Sequence, residues 1–111
     1  MANNMIIQIV ASGSSPEKEA AFNKWYTEVH VPMLFEFKGV KQASRYQRIG
    51  ENEECAKYLA IYEFESKEAQ DAFPKSPEFA AAVDDFEKKR EEVGFTMKWA
   101  ASYELIESWE R

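Results

Sequence analysis

Phe95-Thr96-Met97-Lys98-Trp99-Ala100-Ala101-Ser102-Tyr103-Glu104-Leu105 is the stretch on which the fold turns. Phe95, Met97, Trp99, Ala101, Tyr103 and Leu105 alternate with Thr, Lys, Ala, Ser and Glu, a period of two that fits an extended strand. The alternation predicts a long last strand with those six residues on one face. Just before it, Gly94 stops a helical stripe of Phe79, Val83, Phe86 and Arg90, and Ser76-Pro77 starts that stripe. Earlier still, Ser66 caps a short helix that runs through Phe73 and is broken by Pro74.

Three more strands lie toward the amino terminus. Lys57–Glu65 places Tyr58, Ala60, Tyr62 and Phe64 on one face and Leu59 and Ile61 on the other. Val40–Ile49 is a more polar strand, closed by the loop Gly50-Glu51-Asn52-Glu53-Glu54. Met5–Ala11 reads as a buried strand. It is followed by a turn in which Ser15 caps a helix and Pro16 takes the first helical position. In that helix Phe22, Tyr26, Val29 and Met33 recur at three- and four-residue spacing, with Trp25 beside them and Gly39 ending the segment.

The order β-α-β-β-α-β is that of a ferredoxin-like α+β fold: a four-stranded antiparallel sheet with the helices on one face. With both helices on one side, the apolar residues of the other sheet face need a partner. Two such sheets packed face to face give a homodimeric closed barrel.

Composition narrows the function. A chain of 111 residues, 45% hydrophobic and 31% charged, is expected to form one globular domain over residues 1–111. Its formal charge of −6, with no basic cluster beyond Lys88-Lys89-Arg90, argues against nucleic acid. Met1-Ala2-Asn3-Asn4 does not read as a signal peptide, and no run approaches the ~18 apolar residues of a membrane span. Cys55 is the only cysteine, so a reducing, cytoplasmic setting is expected and an intrachain disulfide is excluded.

The chain has a single histidine, in Trp25-Tyr26-Thr27-Glu28-Val29-His30-Val31-Pro32-Met33-Leu34. Pro32 lacks an amide hydrogen and crowds the preceding turn, which predicts that His30 lies in the last regular helical turn or at a kink. The helix dipole at such an end would favour the imidazolium. Two readings are open. His30 is either a helix-end residue satisfied by a backbone carbonyl, Glu28 or Glu36, or a general acid/base facing a cavity.

Phe22-Asn23-Lys24-Trp25-Tyr26, His30-Val31-Pro32, Gly39-Val40, Arg45-Tyr46 and Ser76-Pro77-Glu78-Phe79, within one βαββαβ chain, resemble the dimeric α/β-barrel superfamily, and within it the EthD-like branch. The resemblance covers nearly the whole chain. It implies a homodimer with a cleft between sheet and helices in each subunit, and His30 matches the branch's His-x-Pro histidine at that cleft. It also implies functions as varied as cofactor-free monooxygenases, isomerases, cyclases and haem-degrading enzymes. The haem-degrading branch uses a histidine in the later helix, and Phe79–Gly94 has none.

The remaining candidates follow from residue type. Tyr46 is a second catalytic candidate, a phenol for a substrate carbonyl, or else a cross-strand aromatic. If no bulge intervenes, it shares a face with Val40, Gln42, Ser44 and Arg48. Arg45 and Arg48 either bind a carboxylate or form a solvated face. Tyr26, Met33, Tyr62 and Trp99 are candidate pocket residues for an apolar or aromatic small molecule; Phe79 and Phe86 read as core. Cys55, in an acidic loop, reads as non-catalytic. No metal site or cofactor is expected, since one His and one Cys fall short of a zinc ligand set. Asp84–Lys88 and Asp85–Lys89 read as surface pairs. The expected function is a cofactor-free enzyme moving a proton at His30, with a non-catalytic binding or assembly dimer as the alternative.

Overall fold

A computed structural model describes residues 5–111, so the expectation about Met1–Asn4 lies outside the described residues. The sheet has four strands: β1 (Ile6–Gly13), β2 (Val40–Gln47), β3 (Tyr58–Phe64) and β4 (Thr96–Glu104). They lie in the order β2-β3-β1-β4 with every neighbouring pair antiparallel, the ferredoxin-like arrangement. Helices α1 (Glu19–Trp25), α2 (Val31–Phe35), α3 (Lys67–Ala72) and α4 (Pro77–Val93) complete the fold. No helix among the described residues is long and apolar enough to cross a membrane.

The core lies between the sheet and the helices. Tyr58, Ala60, Tyr62 and Phe64, alternate residues of β3, are all buried there against Phe22, Trp25, Leu34, Phe73 and Val93. Phe22 is fully enclosed, and its ring lies 5.3 Å from both Tyr26 and Tyr58.

Local signals set most boundaries. Ser66 Oγ accepts from Ala69 N at 3.1 Å, and Ser76 Oγ accepts from Phe79 N at the same distance, so both are N-caps. Ser76 Oγ also donates to Phe73 O at 2.7 Å, which ties the start of α4 to the preceding turn. Ser76→Ala is therefore expected to cost about 1–2 kcal/mol, read as a lower urea midpoint at unchanged slope. Ser15 holds the N-cap position before Pro16, but its side chain makes no capping bond. Gly94 ends α4 at φ 65, where a Cβ would also meet Ser14 Oγ at 2.9 Å.

Two β-bulges correct the strand-face expectations. In β4, Trp99 pairs with Ala11 but Met97 pairs with Ser12, so Lys98 is an extra residue. An extra residue in a period-two strand reverses every face beyond it. Met97, with Phe95 just before the strand, therefore lies on the helix side, while Trp99, Ala101 and Tyr103 lie on the opposite, open side. In β2, Val40 pairs with Phe64 and Gln42 with Glu63, making Lys41 the extra residue. Val40 is buried in the core, whereas Gln42, Ser44 and Tyr46 belong to the open face.

Candidate functional site: an apolar cleft at His30

Pro32 does not end the first helical segment. Between α1 and α2, Tyr26–His30 forms a π-helical turn, and the N–H of Val31 reaches back five residues to Tyr26 O. The wider turn accommodates a residue that cannot supply the next amide hydrogen, and helix resumes through Phe35. His30 thus sits at a change of helical register, not at a helix C-terminus, which removes the dipole argument for its imidazolium.

The π turn also resets the phase of the helix. A regular α-helix turns about 100° per residue, so residues four apart drift around it. Tyr26, His30 and Leu34, each four apart, all line one cleft. Met33, expected there from the regular spacing, packs half-buried against the core instead. Its place at the cleft is taken by the next residue, Leu34.

The cleft has a volume of ≈ 240 Å³. Tyr26, His30 and Leu34 form one wall, and Phe79, Ala82, Val83 and Phe86 of α4 form another. Gln8, Val10, Tyr62, Met97 and Ala100 supply the sheet side, with Phe73 and Phe95 at its margins. Phe79 and Phe86, read as core from the sequence, are walls of this cleft.

His30 stacks on Trp25 with ring centroids 4.6 Å apart, and the Tyr26 ring meets it edge-on at 5.2 Å. Trp25 Nε1 donates to Asp85 Oδ2 at 2.8 Å, so Asp85 serves the indole rather than Lys89. Asp84 does pair with Lys88, at 3.2 Å. His30 Nδ1 is buried and has no hydrogen-bond partner among the described residues, so neither Glu28, Glu36 nor a carbonyl satisfies it. Burial holds its pKa down at about 4, against a smaller opposing pull from the Asp85 carboxylate. At neutral pH His30 is an uncharged base.

Tyr62 Oη and Ser12 Oγ are also buried, and both interact with the Tyr26 hydroxyl. Burial raises the pKa of Tyr26, and raises that of Tyr62 well above the usual tyrosine range, so both phenols stay protonated. Arg45 lies beneath the site, its guanidinium 4.4 Å from the Tyr26 ring centroid. Its terminal nitrogens donate to Thr27 Oγ1 at 2.9 Å and to Asn23 Oδ1 at 3.0 Å, while its Nε is buried without a partner among the described residues. Asn23 continues to Tyr58, and Tyr58 to Glu19, which pairs with Lys57 at 2.8 Å. Arg48 is likewise engaged, donating to the carbonyls of Gly50 and Cys55.

The structure thus brings Tyr26, His30 and Tyr62 together and places three other candidates elsewhere. Tyr46 and Trp99 are exposed on the open face, where they line a groove with Leu59 and Ala56. The bulges at Lys41 and Lys98 put them there, on the opposite side of the sheet from His30. Met33 is displaced by the π turn. Gln8 is a cleft residue that the sequence reading missed. Its signal was a lone carboxamide in the apolar run Ile6-Ile7-Gln8-Ile9-Val10. Among the described residues no three His, Cys, Asp or Glu side chains gather as a metal site.

Comparison with known proteins places the chain. Residues 5–102 match the family model described as Domain of unknown function (DUF4286). The chain belongs to the DUF4286 family. No curated protein matches it in sequence. Its fold is similar to that of HapK from Hahella chejuensis, at a TM-score of 0.71 and 15% identity, covering 96% of this chain and 97% of that one. An EthD family protein from Bacillus halodurans C-125 is similar at a TM-score of 0.64 and 15% identity, over 88% and 96% of the two chains. A dimeric ferredoxin-like protein of unknown function from Bacteroides fragilis is similar at 0.62 and 15%, over 91% and 96%. These likenesses establish the ferredoxin-like fold for this DUF4286 chain, with an EthD family protein among its structural neighbours.

Proposed function

We propose that this protein is a cofactor-free enzyme in which His30 transfers a proton to and from a small apolar carbonyl or aromatic compound held in the cleft. One observation carries the reading: an uncharged imidazole, its Nδ1 without a hydrogen-bond partner among the described residues, on the wall of an apolar cleft large enough for a ligand. A structural histidine of a packed core has no such void beside it. Tyr26 and Tyr62 are its neighbours in the site, and Tyr62 replaces Tyr46 as the phenol on the same side of the sheet. Soaking crystals with aromatic ketones and phenols tests this: density against His30 Nε2 supports it, and fragments bound only outside the cleft overturn it. The absence of a second base among the cleft residues favours the alternative, a non-catalytic binding dimer. Turnover measurements separate the two.

The second part of the proposal is a homodimer through the open sheet face. Ile9 pairs with Ile61 and Ala101 there, and Ala11 with Leu59 and Trp99, leaving a broad apolar surface without helices. The similar Bacteroides fragilis protein is dimeric. Sedimentation is expected to give twice the chain mass at micromolar concentration, with on the order of 1,200 Å² or more buried. Ile61→Lys, at the centre of that face, is expected to yield a monomer; a wild-type monomer would remove this part of the proposal. A cytoplasmic setting fits the free, exposed Cys55.

A further inference from the structure

We propose that Gln8 is the polar anchor of the cleft, and that the cleft takes an uncharged planar ligand presenting a hydrogen-bond donor beside an acceptor, as a cyclic amide or an enolised carbonyl does. The inference rests on the reading of the cleft as a ligand site and names the ligand chemistry.

Gln8 occupies the middle of β1, an interior strand, on the helix side of the sheet between Ile6 and Val10. Gln8 is half-buried there, and its carboxamide is not among the buried unpartnered polar atoms, so it stays open to the water that a ligand would displace. The Gln8 side chain bonds to no described residue and so is available to a ligand. Its cross-strand neighbours do not serve it. Ser102 Oγ is bonded by Gln70, and Tyr62 Oη, on the residue opposite Gln8 in β3, interacts with the Tyr26 hydroxyl. Gln8 also lines an adjoining cavity of ≈ 330 Å³ beside Gln70, Asp71 and Pro74. It therefore stands where the two cavities meet, with an amide edge offering one donor and one acceptor side by side. A ligand edge with the complementary pair satisfies both and leaves the ligand body among aromatic rings, within reach of His30.

Charge and size complete the description. No Lys, Arg, Asp or Glu lines the cleft. A ligand carboxylate would lose its hydration without gaining a cation. The cleft volume of ≈ 240 Å³ exceeds the ~150 Å³ cavity that accepts benzene, which suits a fused bicyclic ring. Tyr26, Phe79 and Phe86 supply the aromatic walls for such a ring.

The test compares 2-quinolinone, quinoline and quinoline-2-carboxylate as probes of the full-length protein. Binding is followed by calorimetry and by the chemical shifts of cleft methyl groups. The wild type is expected to bind the lactam at least about tenfold more tightly than either other probe. Gln8→Leu, and the longer Gln8→Met should the first fail to fold, are expected to erase the preference while binding quinoline as before. His30→Gln is expected to keep it. If the lactam and quinoline bind equally in wild type, or the carboxylate binds as well as the lactam, the Gln8 inference is overturned while the ligand site stands. If no probe shifts a cleft resonance, the ligand-site reading and this inference fall together.

Discussion

Replacing His30 with Gln is expected to lower turnover by about 10²- to 10⁴-fold, the usual contribution of a positioned acid/base group. Glutamine keeps a polar side chain of similar reach but cannot accept a proton near neutral pH. The folded protein should survive, with a stability change of about 1 kcal/mol or less at pH 8. Acid separates the variants further. In the wild type burial holds His30 at about 4, below the 6.5 of a free imidazole. Between those values the unfolded chain binds a proton that the folded one refuses, so stability falls as pH drops from about 6.5 to about 4, then levels off. The loss is on the order of 2–3 kcal/mol after allowance for solvent, and His30→Gln should lack it. The base form of His30 is populated from about pH 5 upward, so its ionisation leaves the turnover profile flat there. Equal turnover in the two proteins would return His30 to a structural role.

Phe22→Ala is expected to be the most damaging single truncation, costing about 3–5 kcal/mol. The ring is fully buried and touches three layers of the site at once. Its centroid is 5.3 Å from Tyr26, 5.3 Å from Tyr58 and 6.2 Å from Phe95. The Arg45 guanidinium lies 5.7 Å from it. Removing it leaves a cavity under Tyr26 that the π turn cannot fill without moving His30. For a domain of ordinary stability, about 5–15 kcal/mol, that is a large fraction of the total. Chemical denaturation should show the loss; a change under about 1 kcal/mol would mean that the core closes around the gap.

The sequence carried the fold in its periodicities and caps. The alternation of β3, the caps Ser66 and Ser76, and Gly94 all act through neighbours close in the chain, and pattern reading sees such neighbours well. What it missed came from single-residue insertions in regular elements. One extra residue at Lys41 and one at Lys98 sent Tyr46 and Trp99 to the open face. A π turn moved the helix by about one residue, so that Leu34 and not Met33 met the cleft. No composition signal marks a bulge, because it is fixed by hydrogen bonding across strands distant in sequence. Pro32 did announce an irregularity beside His30, and the irregularity proved to be a register change rather than a stop. Phe79 and Phe86 belong to the same helical stripe whether a core or a void lies beneath it, so spacing alone did not separate the two.

The bulge at Lys98 lets residues two apart in β4, Met97 and Trp99, serve opposite faces of the sheet. Exchanging the lysine for another residue changes one side chain. Deleting it would make the strand regular and leave Met97 opposite Ser12 and Trp99 opposite Ala11, each on its present face. One nine-residue strand supplies both the wall of the cleft and the aromatic part of the open surface, and in this chain the loss of the lysine between them is a single-codon gap that both can absorb.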